Sequence, residues 1–180
     1  RSLALKGIRE IIPSFCSVLL LFDPAATSFD AMVATVKERE GDLEAIVLPE
    51  PSRVTVPVRY GGAFGPDMGF VCSYSGLTER EVVEIHTSRV YTVFAVGFMP
   101  GFPYLGELDK RLYVPRLETP RLKVAEGSVG LAQLQTGIYT FESPGGWRII
   151  GRTDLALFNP KEPPFSILTI GDTVKFEAQW

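Results

Sequence analysis

The hydrophobic and polar positions change period along the chain, and the changes mark out its elements. Residues 8–12 and 17–22 are short apolar runs on either side of Pro13, which predicts two strands joined by a turn. Ser28 then stands as an N-cap before a helical pattern that runs from Phe29 to about Arg39. Residues 45–48 predict a returning strand. The run Leu48-Pro49-Glu50-Pro51 places two prolines between differently patterned regions, which predicts a boundary and two domains, residues 1–51 and 52–180. A β-β-α-β run does not cover its own sheet, so the first domain reads as truncated, lacking a strand and helix ahead of Arg1.

Beyond the boundary, residues 53–59 alternate as a strand and residues 60–69 read as a glycine-rich loop. Thr78-Glu79-Arg80-Glu81 is a capping box that starts a short helix. Val82, Val83 and His86 fall three and four residues apart there, which turns the histidine inward with the apolar face. Later strands are expected at 90–98, 128–132, 137–141, 147–152 and 173–176. Their connections are too short for crossover helices, which favours a closed β-barrel or sandwich over a parallel α/β sheet, and a barrel is expected. The fold class is therefore α+β, mainly β.

Composition narrows the function. The 180 residues are 46% hydrophobic, enough for a buried core. Eighteen basic against 21 acidic residues give a net charge of −3, which argues against nucleic acid and anionic membrane as partners. The longest apolar stretch, residues 16–22, is far short of a membrane span, and the expected location is cytoplasmic. Cys16 and Cys72 stand in separate apolar segments and read as buried thiols. With one histidine, His86, they make a poor ligand set, so no metal site is expected.

Candidate chemistry concentrates in loops between His86 and Arg152. Residues 98–106 combine Pro100, Gly101, Phe102 and Tyr104 in a turn that either walls a pocket or simply packs. Arg116 and Arg121 each follow a proline and either clamp an anion or pair with Glu118 or Asp109. Gly127-Ser128 and Ser143-Pro144-Gly145-Gly146 offer hydroxyls beside backbone N–H groups, as anion nests or as plain turns. Gln135 and Thr136 either recognise a polar substrate group or satisfy barrel backbone. His86 is either a satisfied core histidine or a base. Without a P-loop or G-x-G-x-x-G, a nucleotide would be held elsewhere or by a partner.

Taken in order, His86, Tyr91, residues 97–106, Pro115-Arg116, Pro120-Arg121, Gly127-Ser128-Val129-Gly130, Gln135-Thr136-Gly137, Ser143-Pro144-Gly145-Gly146-Trp147 and Ile150-Gly151-Arg152-Thr153 form one long pattern. It resembles the allophanate hydrolase subunit 1 family, also called the carboxyltransferase C–D or KipI family. The resemblance implies a ferredoxin-like N-terminal domain, truncated here, followed by a cyclophilin-like β-barrel. It implies the B-type component of an ATP-dependent 5-oxoprolinase, which opens 5-oxoproline, a small lactam, to glutamate. The implied partners are A-type and C-type components, the latter like allophanate hydrolase subunit 2. Other members form half of the carboxyltransferase module of a biotin-dependent urea carboxylase or inhibit a histidine kinase.

On this resemblance His86, Arg121 and Gln135 are expected to be catalytic, with His86 as general base and Arg116 and Arg121 as anion clamps. Pro100, Gly101, Phe102, Tyr104, Arg116, Gly127, Ser128, Thr136, Ser143, Gly145 and Gly146 are expected to bind substrate, and ATP to be held with a partner chain. The chain departs from the family pattern at Ala125-Glu126, at Gln133, where relatives carry glycine, and at Thr140 in place of proline.

Overall fold

The structure, a computed structural model, describes residues 7–15, 17–40 and 50–179. Contacts divide the chain into two units, Arg1–Glu50 and Pro51–Trp180. In the first, β1 (Ile8–Pro13) and β2 (Val18–Phe22) pair antiparallel, and α1 (Phe29–Glu40) follows. The Ser28 hydroxyl accepts the Ala31 N–H at 3.2 Å, the expected N-cap. Cys16 and the strand expected over 45–48 lie outside the described residues.

The second unit begins with β3 (Arg53–Tyr60), α2 (Met68–Ser75), α3 (Glu79–Ser88), β4 (Val90–Val96) and β5 (Pro103–Gly106). It continues with a 3-10 turn at Lys110–Leu112, then β6 (Arg121–Val124), β7 (Ser128–Ala132), β8 (Gln135–Ile138), β9 (Ser143–Gly145), β10 (Arg148–Arg152) and β11 (Thr173–Gln179). Seven strands close a barrel in the order β10-β3-β11-β4-β5-β8-β7. Its pairs are antiparallel except β3 with β11, which run parallel from Arg53 beside Thr173 to Arg59 beside Gln179. Strands β6 and β9 form a separate two-stranded ribbon.

The period-two pattern of β3 sends Val56 and Val58 into the barrel, where they join a core with Val93, Leu105, Leu131, Ile138, Ile150, Val174 and Phe176. Helix α3 starts at the expected capping box. Thr78 Oγ1 accepts the Glu81 N–H and the Glu81 carboxylate accepts the Thr78 N–H at 2.8 Å. Its inner face buries Val82, Val83, Ile85 and His86, as the spacing predicts. The expected loop over 60–69 ends earlier, because α2 begins at Met68. Gly69 lowers the helical signal, and Asp67, though it precedes the helix, makes no side-chain capping bond. Cys72, on α2, is half-buried rather than fully buried, and burial still pushes its thiol up.

Strands β7 and β8 join through Gln133 and Leu134, with Ala132 opposite Gln135. Gln133 sits at φ +54°, in the left-handed region that two-residue hairpin turns require and that favours glycine. Its N–H donates to Val114 O at 2.7 Å, a backbone bond that any residue except proline keeps. The substitution Gln133→Gly relieves the Cβ strain and should stabilise the fold by about 0.5–1 kcal/mol. A urea midpoint that moves down instead of up would show that the turn carries no strain.

Candidate functional site

A cavity of about 260 Å³ opens beside the barrel, lined by Phe98, Tyr104, Arg116, Pro120, Tyr139, Pro144, Gly145, Gly146 and Trp147. Strands β5 and β8 supply Tyr104 and the approach to Tyr139, the β6–β9 ribbon supplies Gly145, and the entry to β10 supplies Trp147. The aromatic rings meet edge to face: Phe102 lies 5.4 Å from Trp147, 5.3 Å from Tyr139 and 5.0 Å from Tyr104. Phe98, 63% exposed and at φ +67°, leans its edge on Phe102 at 5.6 Å. That backbone conformation costs a non-glycine residue free energy, and it holds an apolar ring at the cavity mouth. A Cβ at Gly145 would run into the Tyr139 hydroxyl, so only glycine lets the ribbon approach this wall.

Charge enters from one side. The Arg116 guanidinium sits 5.8 Å from the Trp147 ring and makes no salt bridge among the described residues. Arg121, by contrast, is occupied. It bonds Asp67 twice, at 2.9 and 2.7 Å, and Asp67 also accepts the Ile149 N–H at 2.6 Å. Asp67 is 5% exposed, with Arg148 Nη1 4.0 Å away. Arg148 lies over the Phe70 ring at 3.5 Å and donates to Pro115 O. Asp67 thus ties the start of α2 to β10 and to the ribbon that walls the cavity.

The expected site residues do not all gather at the cavity. Arg121 pairs with neither Glu118 nor Asp109 and does not line the cavity; its guanidinium is taken up by Asp67. Asp109 instead takes Arg111 at 3.0 Å, which holds its carboxyl down at about 2. The Gly127-Ser128 nest is closed: Gly127 N–H donates to Tyr139 O, Ser128 N–H to Ala125 O, and Gly127 O accepts from Thr153. Ser128 is buried. Gln135 pairs with Ala132 on the hairpin and is not part of the cavity wall. Pro100 O accepts the Thr140 hydroxyl at 2.7 Å, Gly101 packs on Phe158, and the Ser143 hydroxyl donates to Pro144 O. Tyr104, Arg116, Gly145 and Gly146 do come together in the wall, with Phe102 behind them.

His86 is a core group. It has no exposed surface, and its ring lies 4.5 Å from Phe176 and 5.5 Å from Tyr91. Thr136 donates its hydroxyl proton to Gly130 O at 3.1 Å, so it accepts from His86 Nε2 at 2.9 Å. Nδ1 is then the acceptor for the Tyr60 hydroxyl at 2.7 Å. Burial pushes the imidazole down to about 3. With both nitrogens bonded and no exposed surface, His86 sits in the barrel core, apart from the cavity wall. Thr136 is its buried partner and does not line the cavity.

Acid should therefore weaken the fold through this ring. The unfolded imidazole titrates near 6.5 and the folded one at about 3, so the neutral ring stabilises the fold fully above pH 6.5. That contribution is lost as pH falls from 6.5 toward 3, by up to about 1.4 kcal/mol per pH unit. The His86→Leu variant will be less stable at pH 7, because Tyr60 and Thr136 lose a partner, yet its urea midpoint should fall less steeply on acidification. Parallel slopes for wild type and variant would contradict this assignment.

Asp67 and Trp147 do not stand out as functional in the sequence. In the sequence Asp67 is a lone acid in Gly65-Pro66-Asp67, inside the expected glycine-rich loop. Among the described residues no helix is long and apolar enough to cross a membrane.

Known proteins are similar to this chain in sequence and in fold. The family model described as carboxyltransferase domain, subdomain C and D, matches residues 1–168. The B component of the 5-oxoprolinase of Bacillus subtilis (strain 168) is 42% identical over 180 residues, covering 94% of this chain and 75% of that protein. Its counterpart from Escherichia coli O157:H7, also a 5-oxoprolinase B component, is 42% identical over 180 residues, covering 99% of this chain and 82% of its own. Among solved structures, a conserved uncharacterized protein of Pyrococcus horikoshii superposes with a TM-score of 0.69 at 44% identity, covering 98% of this chain and 81% of that one.

Proposed function

The chain belongs to the carboxyltransferase domain, subdomain C and D, family, and from that membership we propose that it is the B-type component of a 5-oxoprolinase. The reaction is the ATP-dependent opening of 5-oxoproline to glutamate, carried out with partner components of the A and C types. The observation that carries the reading is 42% identity to two 5-oxoprolinase B components over nearly the full chain.

The cavity supports a small ligand. At about 260 Å³ it falls below the roughly 300–1,000 Å³ typical of drug-sized ligands, and its walls are aromatic. A triphosphate does not fit there, because one guanidinium cannot balance its charge and the Gly127-Ser128 N–H groups are already bonded. The nucleotide therefore belongs with a partner chain in this reading. The chain's own residues bind and orient: the rings of Phe98, Tyr104, Tyr139 and Trp147 exclude water from a flat substrate, and Arg116 supplies charge.

The test is glutamate release from 5-oxoproline and ATP by this protein, mixed with and without the A-type and C-type components. Turnover only in the full mixture is the expected result. A complex that forms but releases no glutamate overturns the proposal.

A further inference from the structure

We infer that Arg116, together with the hydroxyls of Tyr104 and Tyr139, is the carboxylate subsite of the cavity and selects small flat-ring acids over their uncharged counterparts. The inference rests on the proposed function in taking this cavity as the ligand site, and it adds which part of the ligand is recognised and by what.

The neighbouring cations are already committed. Arg121 is bound bidentately by Asp67, Arg148 lies between Phe70, Pro115 O and Asp67, and Lys123 pairs with Glu142 at 2.9 Å. Arg116 is exposed, lines the cavity, and has no acidic partner among the described residues. It faces the Trp147 ring, which steers a guanidinium without neutralising it. A planar fork of donors held at the edge of an aromatic cavity matches a carboxylate.

Two phenols complete the arrangement. Tyr104 and Tyr139 line the same cavity as Arg116, and burial pushes both phenols up, so they stay protonated as donors. The rest of the lining is Phe98, Pro120, Pro144 and the glycine pair Gly145-Gly146, with the Trp147 ring. The cavity therefore combines one cationic, hydroxyl-bearing cluster with apolar walls. That asymmetry suits a ring with one anionic substituent, the ring against the apolar walls and the carboxylate against Arg116.

The experiment compares 5-oxoproline with 2-pyrrolidinone, the same lactam without its carboxylate. Calorimetric titration uses this protein alone and in complex with its partner components, as wild type, Arg116→Gln, Arg116→Lys and Tyr104→Phe. Wild type should prefer the acid. Arg116→Gln should weaken the acid on the order of tenfold to hundredfold and leave the neutral lactam little changed. Arg116→Lys should recover part of that loss, which a merely structural role would not produce.

In the assembled enzyme Arg116→Gln should raise KM more than it lowers kcat. Arg116 is exposed, so its variants are expected to fold; were Arg116→Gln to misfold, Arg116→Lys and Tyr104→Phe carry the same comparison. An acid-to-lactam preference that survives in the variants overturns the subsite, as does a wild type that binds neither compound alone or in complex. A preference lost with Arg116 in a complex that turns nothing over would leave the subsite standing and overturn the proposed function. Turnover with an unchanged KM in Arg116→Gln would do the reverse.

Discussion

Replacing Asp67 by alanine should cost about 3 kcal/mol of stability and abolish ligand binding at the cavity. Its carboxylate is 5% exposed and holds Arg121 through two bonds and the Ile149 N–H through a third. Removing one partner of such a cluster strands the others, and breaking a buried pair typically costs about 3–5 kcal/mol. The lower end applies here, because the Arg121 side chain is 32% exposed and regains water. Arg121 lies opposite Gly145 on the β6–β9 ribbon, so freeing it loosens the strand that supplies one cavity wall. Asp67→Asn keeps the shape and the Ile149 bond but loses the charge, and should cost roughly half as much. Urea unfolding and 5-oxoproline titration on the same samples check both numbers. A variant within about 0.5 kcal/mol of wild type would show that the clasp is not a structural element.

The same clasp shows where the sequence stops being readable. A capping box such as Thr78 to Glu81 is local, so four consecutive residues predict the start of α3, and the spacing of Val82, Val83 and His86 predicts which face goes inward. The barrel strands with five or more residues announce themselves by apolar runs. Strands β5, β6 and β9 have only three or four residues, and proline and glycine in β5 and β9 give them the look of loops. Asp67 and Arg121 are 54 positions apart, and nothing in either neighbourhood names the other. For the same reason His86 is legible as inward-facing, but its two partners are not. Its partners Tyr60 and Thr136 lie 26 and 50 positions away, and a single histidine near glycine-rich loops looks the same whether it catalyses or packs.

Trp147→Ala should cost about 3–5 kcal/mol and remove ligand binding with it, whereas Trp147→Phe should separate the two. The indole is 6% exposed and rests on a floor paved by the cross-strand pair Gly130 and Gly137. A Cβ at Gly130 would come within 3.0 Å of Trp147 Cβ, and one at Gly137 within 3.0 Å of its ring and 2.9 Å of Phe102. The two glycines therefore fit this one large ring, and truncating it leaves a hollow that the β7–β8 backbone cannot rise to fill. Phenylalanine restores most of the apolar contact and should bring stability back to within about 1–2 kcal/mol. It shortens the face over which Arg116 is held, so the guanidinium loses its guide. Binding of 5-oxoproline should then fall further than stability does. If Trp147→Phe instead binds as wild type, the indole is packing only, and Arg116 finds its carboxylate without help from the ring beside it.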